Sequence, residues 1–154
     1  MNKVQLHNND NHSILCVIDF SESSMNTLKW TARMASKLNT HLTIIHPYRL
    51  NQLKKMEDMV LAKKSIDLEA EKNFEVIASS LFKNGAPSYD FHVEVGFIQD
   101  RMQDYCRKSD LLFIAIGKKL VNNGDVLGEL MEQLEVPLVI VPETKNESSR
   151  LKFN

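Results

Sequence analysis

The residues of this chain that are equipped to hold a ligand gather at two strand ends. The apolar run Leu111–Ile116 stops at Gly117 and opens into a polar loop, Lys118 to Asp125. A glycine there lets backbone N–H groups approach an anion, and the loop following a strand is where open α/β sheets bind ligands. A second apolar run, Ile14–Ile18, ends on the carboxylate of Asp19 and is followed by Phe20-Ser21-Glu22-Ser23-Ser24. Backbone donors, two lysines (Lys118 and Lys119) and one carboxylate describe a binding cleft rather than a reaction centre.

Other chemistry finds little support. The five histidines, His7, His12, His41, His46 and His92, lack metal-ligand spacing, and neither Cys16 nor Cys106 has a partner at i+3 or i+4 suited to zinc. His46 closes a strand, where a ligand or base could stand, but no nucleophile accompanies it. There is no G-x-S-x-G elbow, no G-x4-G-K-[ST] and no intact G-x-G-x-x-G. Cys16 and Cys106 read as reduced, packed thiols of a cytosolic protein. The sequence therefore predicts neither a catalytic residue nor a metal site.

The elements that must position these residues follow from periodicity. Leu111–Ile116 is too short for a long helix and reads as a strand buried on both faces. Ser13–Asp19 reads the same way. Ser21 can cap a helix whose apolar positions recur at Met25, Leu28, Ala32, Ala35 and Leu38, widened by Trp30 and Met34 and closed by Asn39-Thr40. His41–His46 is a second strand, stopped by Pro47. Leu53 to Phe82 is long, charged and periodic; it is either one bent helix or a mobile first turn leading into a helix. Tyr89–Val95 alternates apolar and polar side chains and belongs at a sheet edge. A short helix after Gly96 turns Ile98, Met102, Tyr105 and Cys106 inward. After the polar loop come an amphipathic turn and a half or more, then the strand Leu138–Val141. Strands alternating with helices give one doubly wound α/β domain over residues 13–142, with polar tails at 1–12 and 143–154.

The composition fits that reading. The chain has 154 residues, 43% apolar and 25% charged, with a formal net charge of −1. Near-neutrality argues against nucleic acid or an anionic membrane as partner. No apolar run approaches the roughly 20 residues that cross a bilayer. The start, MNKVQLHNNDNH, carries no apolar signal segment, so a cytoplasmic location is expected.

The ordered segments resemble the universal stress protein family. ILCVIDFSESSMNTLKWTARMASKLNTHLTIIH is similar to its opening strand, Ser-capped helix and second strand; VEVGFIQDRMQDYCRKSDLLFIAIG is similar to its third strand, short helix and fourth strand; VPLVIVP is similar to its closing strand. The resemblance implies a five-stranded parallel sheet in the order 3-2-1-4-5. It also implies a homodimer, here through Leu138, Val139, Ile140 and Val141. Some members bind ATP through G-x2-G-x9-G-[ST] after the fourth strand, with a cleft whose counterparts here are Asp19, Leu42 and Ile116-Gly117. Asp19 either lines that cleft or caps the start of the following helix.

That pattern is broken in this chain. Gly117 matches the first glycine, but Leu120 stands at the second. Counting back from Val136-Pro137, the third is most simply Gly124, which puts Asp125 at the hydroxyl position; Gly128-Glu129 is a rival alignment. Six residues separate Gly117 from Gly124, half the spacing of the pattern. Losing a hydroxyl donor to a phosphate costs about 1.5–3 kcal/mol. A carboxylate about 4 Å from a phosphate charge adds roughly 4 kcal/mol of repulsion at an effective dielectric near 20. Together these remove on the order of three to five decades of affinity, part of which Lys118 and Lys119 would recover by turning inward. The expectation is a non-catalytic interaction or regulatory protein with a vestigial nucleotide cleft (Asp19, Leu42, Ile116, Gly117, Gly124, Asp125), no cofactor and an unidentified protein partner. The alternative is an ATP-binding member that uses a shortened phosphate loop. A small enzyme or electron-carrier-like domain on a related fold is a third possibility.

Overall fold

The computed structural model describes residues 12–50, 56–83, 86–121, 128 and 132–143. Its elements, in chain order, are β1 (His12–Val17), α1 (Glu22–Lys37), β2 (His41–Tyr48), α2 (Met56–Leu81), β3 (Tyr89–Val95), α3 (Ile98–Lys108), β4 (Asp110–Gly117), the short helical turn α4 (Lys118–Val121) and β5 (Leu138–Val141). The five strands are parallel and ordered β3-β2-β1-β4-β5. The apolar runs that demanded cover on both faces, in β1 and β4, lie at the centre, and the alternating strand β3 lies at the edge.

Side-chain alternation sorts the core into two layers. Ile14, Cys16 and Ile18 pack with Leu42 and Ile44 under α1 and α2, against Leu28, Ala32, Ala35, Phe74 and Ala78. Leu15, Val17, Ile45, Ile114 and Ile116 face the other way, onto Met102 and Tyr105 of α3 and onto Leu120 and Val121. Fully burying one such side chain is worth about 1.5–3 kcal/mol, so these two layers hold the strand ends in place.

Several local expectations change. β2 runs through Pro47 to Tyr48. Leu42 N–H bonds to Ser88 and Tyr48 C=O accepts from Gly96, so alternate residues of β2 face β3 and Pro47 faces the β1 side. β1 has ended by then, with Ile18 N–H on Ile45 C=O as the last contact, so the missing proline N–H has no partner to lose. α1 buries Ser23, Ser24, Thr27, Leu28, Thr31, Ala32 and Ala35, whereas Leu38 is exposed. The inner face of α1 is made of small and hydroxyl residues because the helix lies close on the sheet. It ends as expected at Asn39, in the left-handed conformation (φ 52°), with Thr40 N–H reaching back to Ala35 C=O. α2 is a single helix from Met56, and the expected start at Leu53 falls outside the described residues. Of the polar loop expected over Lys118 to Asp125, the part up to Val121 is instead the helical turn α4, which buries Leu120 and Val121, and residues 122–125 fall outside the described residues. The amphipathic segment expected before β5 lies largely outside the described residues.

Candidate functional site

β1 and β4 end at one level, β2 runs on beside them to Tyr48, and the side chains there are held by short-range chemistry. Phe20 takes φ 65°, a left-handed conformation that only a compensated non-glycine residue adopts. The kink folds Asp19 back over the start of α1. Asp19 Oδ1 accepts from Ser21 N–H at 3.0 Å and from Ser24 Oγ at 2.6 Å, and the Asp19 N–H donates to Ser24 Oγ at 3.0 Å. Ser21 Oγ accepts from Ser24 N–H at 3.2 Å, which makes Ser21 the N-cap the sequence predicted. Partial burial pushes the Asp19 carboxyl up. The hydrogen bonds from Ser21 and Ser24, with His46 nearby, more than reverse this and hold it below the ordinary aspartate value. The protein's own carboxylate thus already occupies the favourable electrostatic position at the helix N-terminus, where a bound anion would otherwise sit.

His46 is fixed beside it. Its Nδ1 lies 3.0 Å from the Ile18 carbonyl oxygen, so Nδ1–H donates and Nε2 is the basic nitrogen. The ring meets the Phe20 ring edge-on with centroids 4.8 Å apart and stacks towards Tyr48. The Tyr48 hydroxyl donates to Asp67 of α2 at 2.9 Å, and burial followed by that carboxylate raises its pKa. Among the described residues His46 makes no hydrogen bond to a hydroxyl or thiol. The buried thiol of Cys16 is pushed up to about 12 by desolvation, which Thr31 only partly offsets, and Cys106 is raised as well, first by burial. Thiols this hard to ionise are poor nucleophiles and poor ligands. Among the described residues no group of histidine, cysteine and carboxylate side chains is arranged to hold a metal ion.

Gly117 sits on this rim for a packing reason. A Cβ there would meet Thr27 Oγ1 at 2.8 Å and Ser23 Oγ at 3.4 Å, so α1 lies directly on the end of β4. Lys118 and Lys119 point into solvent, and Lys119 Nζ pairs with Glu143 at 3.2 Å rather than turning inward.

The other expected cleft residues divide. Asp19 and Gly117 do come to the same end of the sheet. Leu42 does not: it is fully buried in register with Ile14, five residues short of Asp19. At about 3.3 Å per residue that is roughly 16 Å below the rim. The β2 residues that reach the rim are His46, Pro47 and Tyr48. Ile116 reaches the correct level, but its side chain is 0% exposed in the α3-side core. Gly124 and Asp125 lie outside the described residues. The roles of Phe20, His46 and Thr27 were not deduced from sequence. The repeated hydroxyls Ser23, Thr27 and Thr31, spaced four apart on one helix face, were the available signal for close helix–sheet approach.

At the opposite end of β3 lies a second polar group. His41 Nε2 and His92 Nε2 donate to the two oxygens of Asp90, at 2.7 and 2.6 Å, and His41 Nδ1 lies 2.8 Å from Ser88 Oγ. Partial burial raises the Asp90 carboxyl, but His41, His92 and Thr43 outweigh it and hold it below its ordinary value. The group ties the edge strand to β2.

The sequence pattern described as the Universal stress protein family matches residues 11–142. The chain belongs to the universal stress protein family. Among curated proteins none matches the sequence. Solved structures resemble it in fold: Universal stress protein UspA from Lactobacillus plantarum has TM-score 0.71 at 14% identity, covering 86% of this chain and 98% of that one. A universal stress protein in complex with cAMP has TM-score 0.59 at 16% identity, covering 88% and 99%. The universal stress protein from Archaeoglobus fulgidus in complex with dAMP has TM-score 0.58 at 17% identity, covering 85% and 96%. Identities this low speak for the fold of this universal stress protein and not for its ligand. No helix among the described residues is long and apolar enough to cross a membrane.

Proposed function

We propose that this universal stress protein acts as a non-catalytic regulatory or interaction module without a tight ATP site. The observation that carries the reading is the fate of the chain just after Gly117. Where a phosphate-binding loop would spread its backbone donors, α4 turns down, and Leu120 and Val121 are 7% and 3% exposed within the α3-side core. Lifting Leu120 out to free that backbone would forfeit about 1.5–3 kcal/mol of burial before any phosphate was bound. The sequence supports the same reading through the short Gly117–Gly124 interval and Asp125, and Asp19 already fills the anionic position at α1.

The second reading is a nucleotide-binding member. It draws on the structures of related proteins that hold cAMP and dAMP, and on the placement of Asp19 and Gly117 at one rim. Calorimetry with ATP and with adenosine separates the two. We expect ATP to bind no better than adenosine, and neither tighter than roughly 100 μM, an ordinary micromolar site without its phosphate contacts. ATP binding at low micromolar strength, or nucleotide released on denaturing the purified protein, overturns the first reading in favour of the second.

Assembly is part of the same proposal. β5 hydrogen-bonds to β4 on one side only among the described residues, and Ile140 on it is 36% exposed. An apolar strand at a sheet edge invites a partner strand, so β5 of two copies pairing about a two-fold axis, through Leu138, Val139, Ile140 and Val141, would make the regulatory unit a homodimer.

A further inference from the structure

On the α1/α2 side of the sheet, at the end away from Asp19, the two helices part to leave a groove of about 240 Å³ lined by Lys29, Arg33 and Ser36 of α1 and by Ser80, Lys83 and Pro87 from the end of α2 and beyond it, over Ala32, Leu81 and Ala86. Three exposed cationic residues line it, Lys29, Arg33 and Lys83, and no carboxylate among the described residues does. None of the three makes an ion pair among the described residues, so their charges are available to a ligand. On a protein of net charge −1 an uncompensated triad of positive charge in a concavity is unusual. Helix C-termini favour cations, which accounts for Lys83 but not for Lys29 and Arg33, eight and twelve residues into α1. The groove lies about 18 Å along α1 from Ser21, taking twelve residues at about 1.5 Å each, so it is separate from the rim described above.

We propose that this groove is a binding site for a phosphate monoester carried on a small molecule. A phosphomonoester holds roughly −1.5 to −2 charges at neutral pH and several strong acceptors, which suits one guanidinium fork and two ammonium groups. The Ser80 hydroxyl already donates to Ile77 C=O at 3.4 Å, so the donors are the three cations. The volume sets the size: at about 30 Å³ per water it equals roughly eight waters, enough for a phosphate and a short stem and less than nucleotide pockets usually provide. The inference stands apart from the question of ATP at the rim.

Amide and side-chain NMR shifts of the full chain, titrated with O-phosphoserine and separately with inorganic phosphate, test it. Saturable shifts confined to the groove residues are expected, with phosphoserine the tighter. Arg33→Glu and Lys83→Glu should each weaken binding by about tenfold or more, the usual worth of a charge-assisted hydrogen bond, while Lys72→Glu, on an exposed turn of α2 outside the groove, leaves it unchanged. Shifts that fail to saturate, that appear equally at unrelated lysines, or that respond as strongly to Lys72→Glu overturn the site. Inorganic phosphate binding as tightly as phosphoserine overturns the monoester as its ligand.

Discussion

Gly117 offers the sharpest test of whether the rim is built for packing or for phosphate. In Gly117→Ala the new methyl would stand 2.8 Å from Thr27 Oγ1, closer than such atoms approach in folded proteins. Thr27 cannot easily give way. It is 1% exposed, and its hydroxyl donates to Ser23 C=O at 3.1 Å, so swinging it aside breaks a buried hydrogen bond or pushes α1 off the sheet. Overpacking of this kind costs about 1–3 kcal/mol, a large part of the roughly 5–15 kcal/mol that holds a domain together. In a Thr27→Ala background the clash is gone. The alanine at 117 then restricts the unfolded chain, worth about 0.4–1 kcal/mol, and the substitution becomes neutral or stabilising. Urea unfolding of the wild type, both single variants and the double variant measures the coupling, expected at about 1 kcal/mol or more. Two results refute the reasoning: Gly117→Ala within about 0.5 kcal/mol of wild type, or the same cost in both backgrounds. In either case the glycine would be there for something other than α1.

Two further expectations concern assembly and acid. Ile140→Lys places a charge on the exposed edge of β5 and should convert a homodimer into a monomer by sedimentation; a wild-type chain that sediments as a monomer at micromolar concentration removes the β5 interface. Asp90 has a folded-state pKa below its unfolded value of about 3.9, so the unfolded chain binds more protons in acid and stability rises with pH there. Its contribution is fully present above the unfolded value and is lost as pH falls through the folded one. Asp90→Asn should therefore flatten the acid limb of the stability curve without steepening it near neutrality. The carboxylate is 43% exposed, so the effect is modest, and an unchanged acid limb would show that the His41–Asp90–His92 group contributes nothing.

What could be read from the chain alone was whatever repeats with a period. Apolar runs without alternation in Ile14–Ile18 and Leu111–Ile116 required cover on both faces, which puts β1 and β4 at the centre; the alternation of Tyr89–Val95 allowed one wet face, which puts β3 at the edge. Ser21 and Asn39 announced the ends of α1 through local hydrogen bonding, which depends on few neighbours. Depth along a strand was another matter. Leu42 and His46 belong to the same strand, and only the register with β1 shows that the first lies level with Ile14 while the second reaches the rim beside Phe20. Polar surroundings likewise hid Leu120 and Val121, because a pair of apolar residues has no period; the space beneath α4 decided that they turn into the core. Gly117 shows the division most plainly. Its place at the end of a strand was legible, but the obligation to be glycine comes from Thr27, ninety residues away in the chain and 2.8 Å from where a side chain would begin.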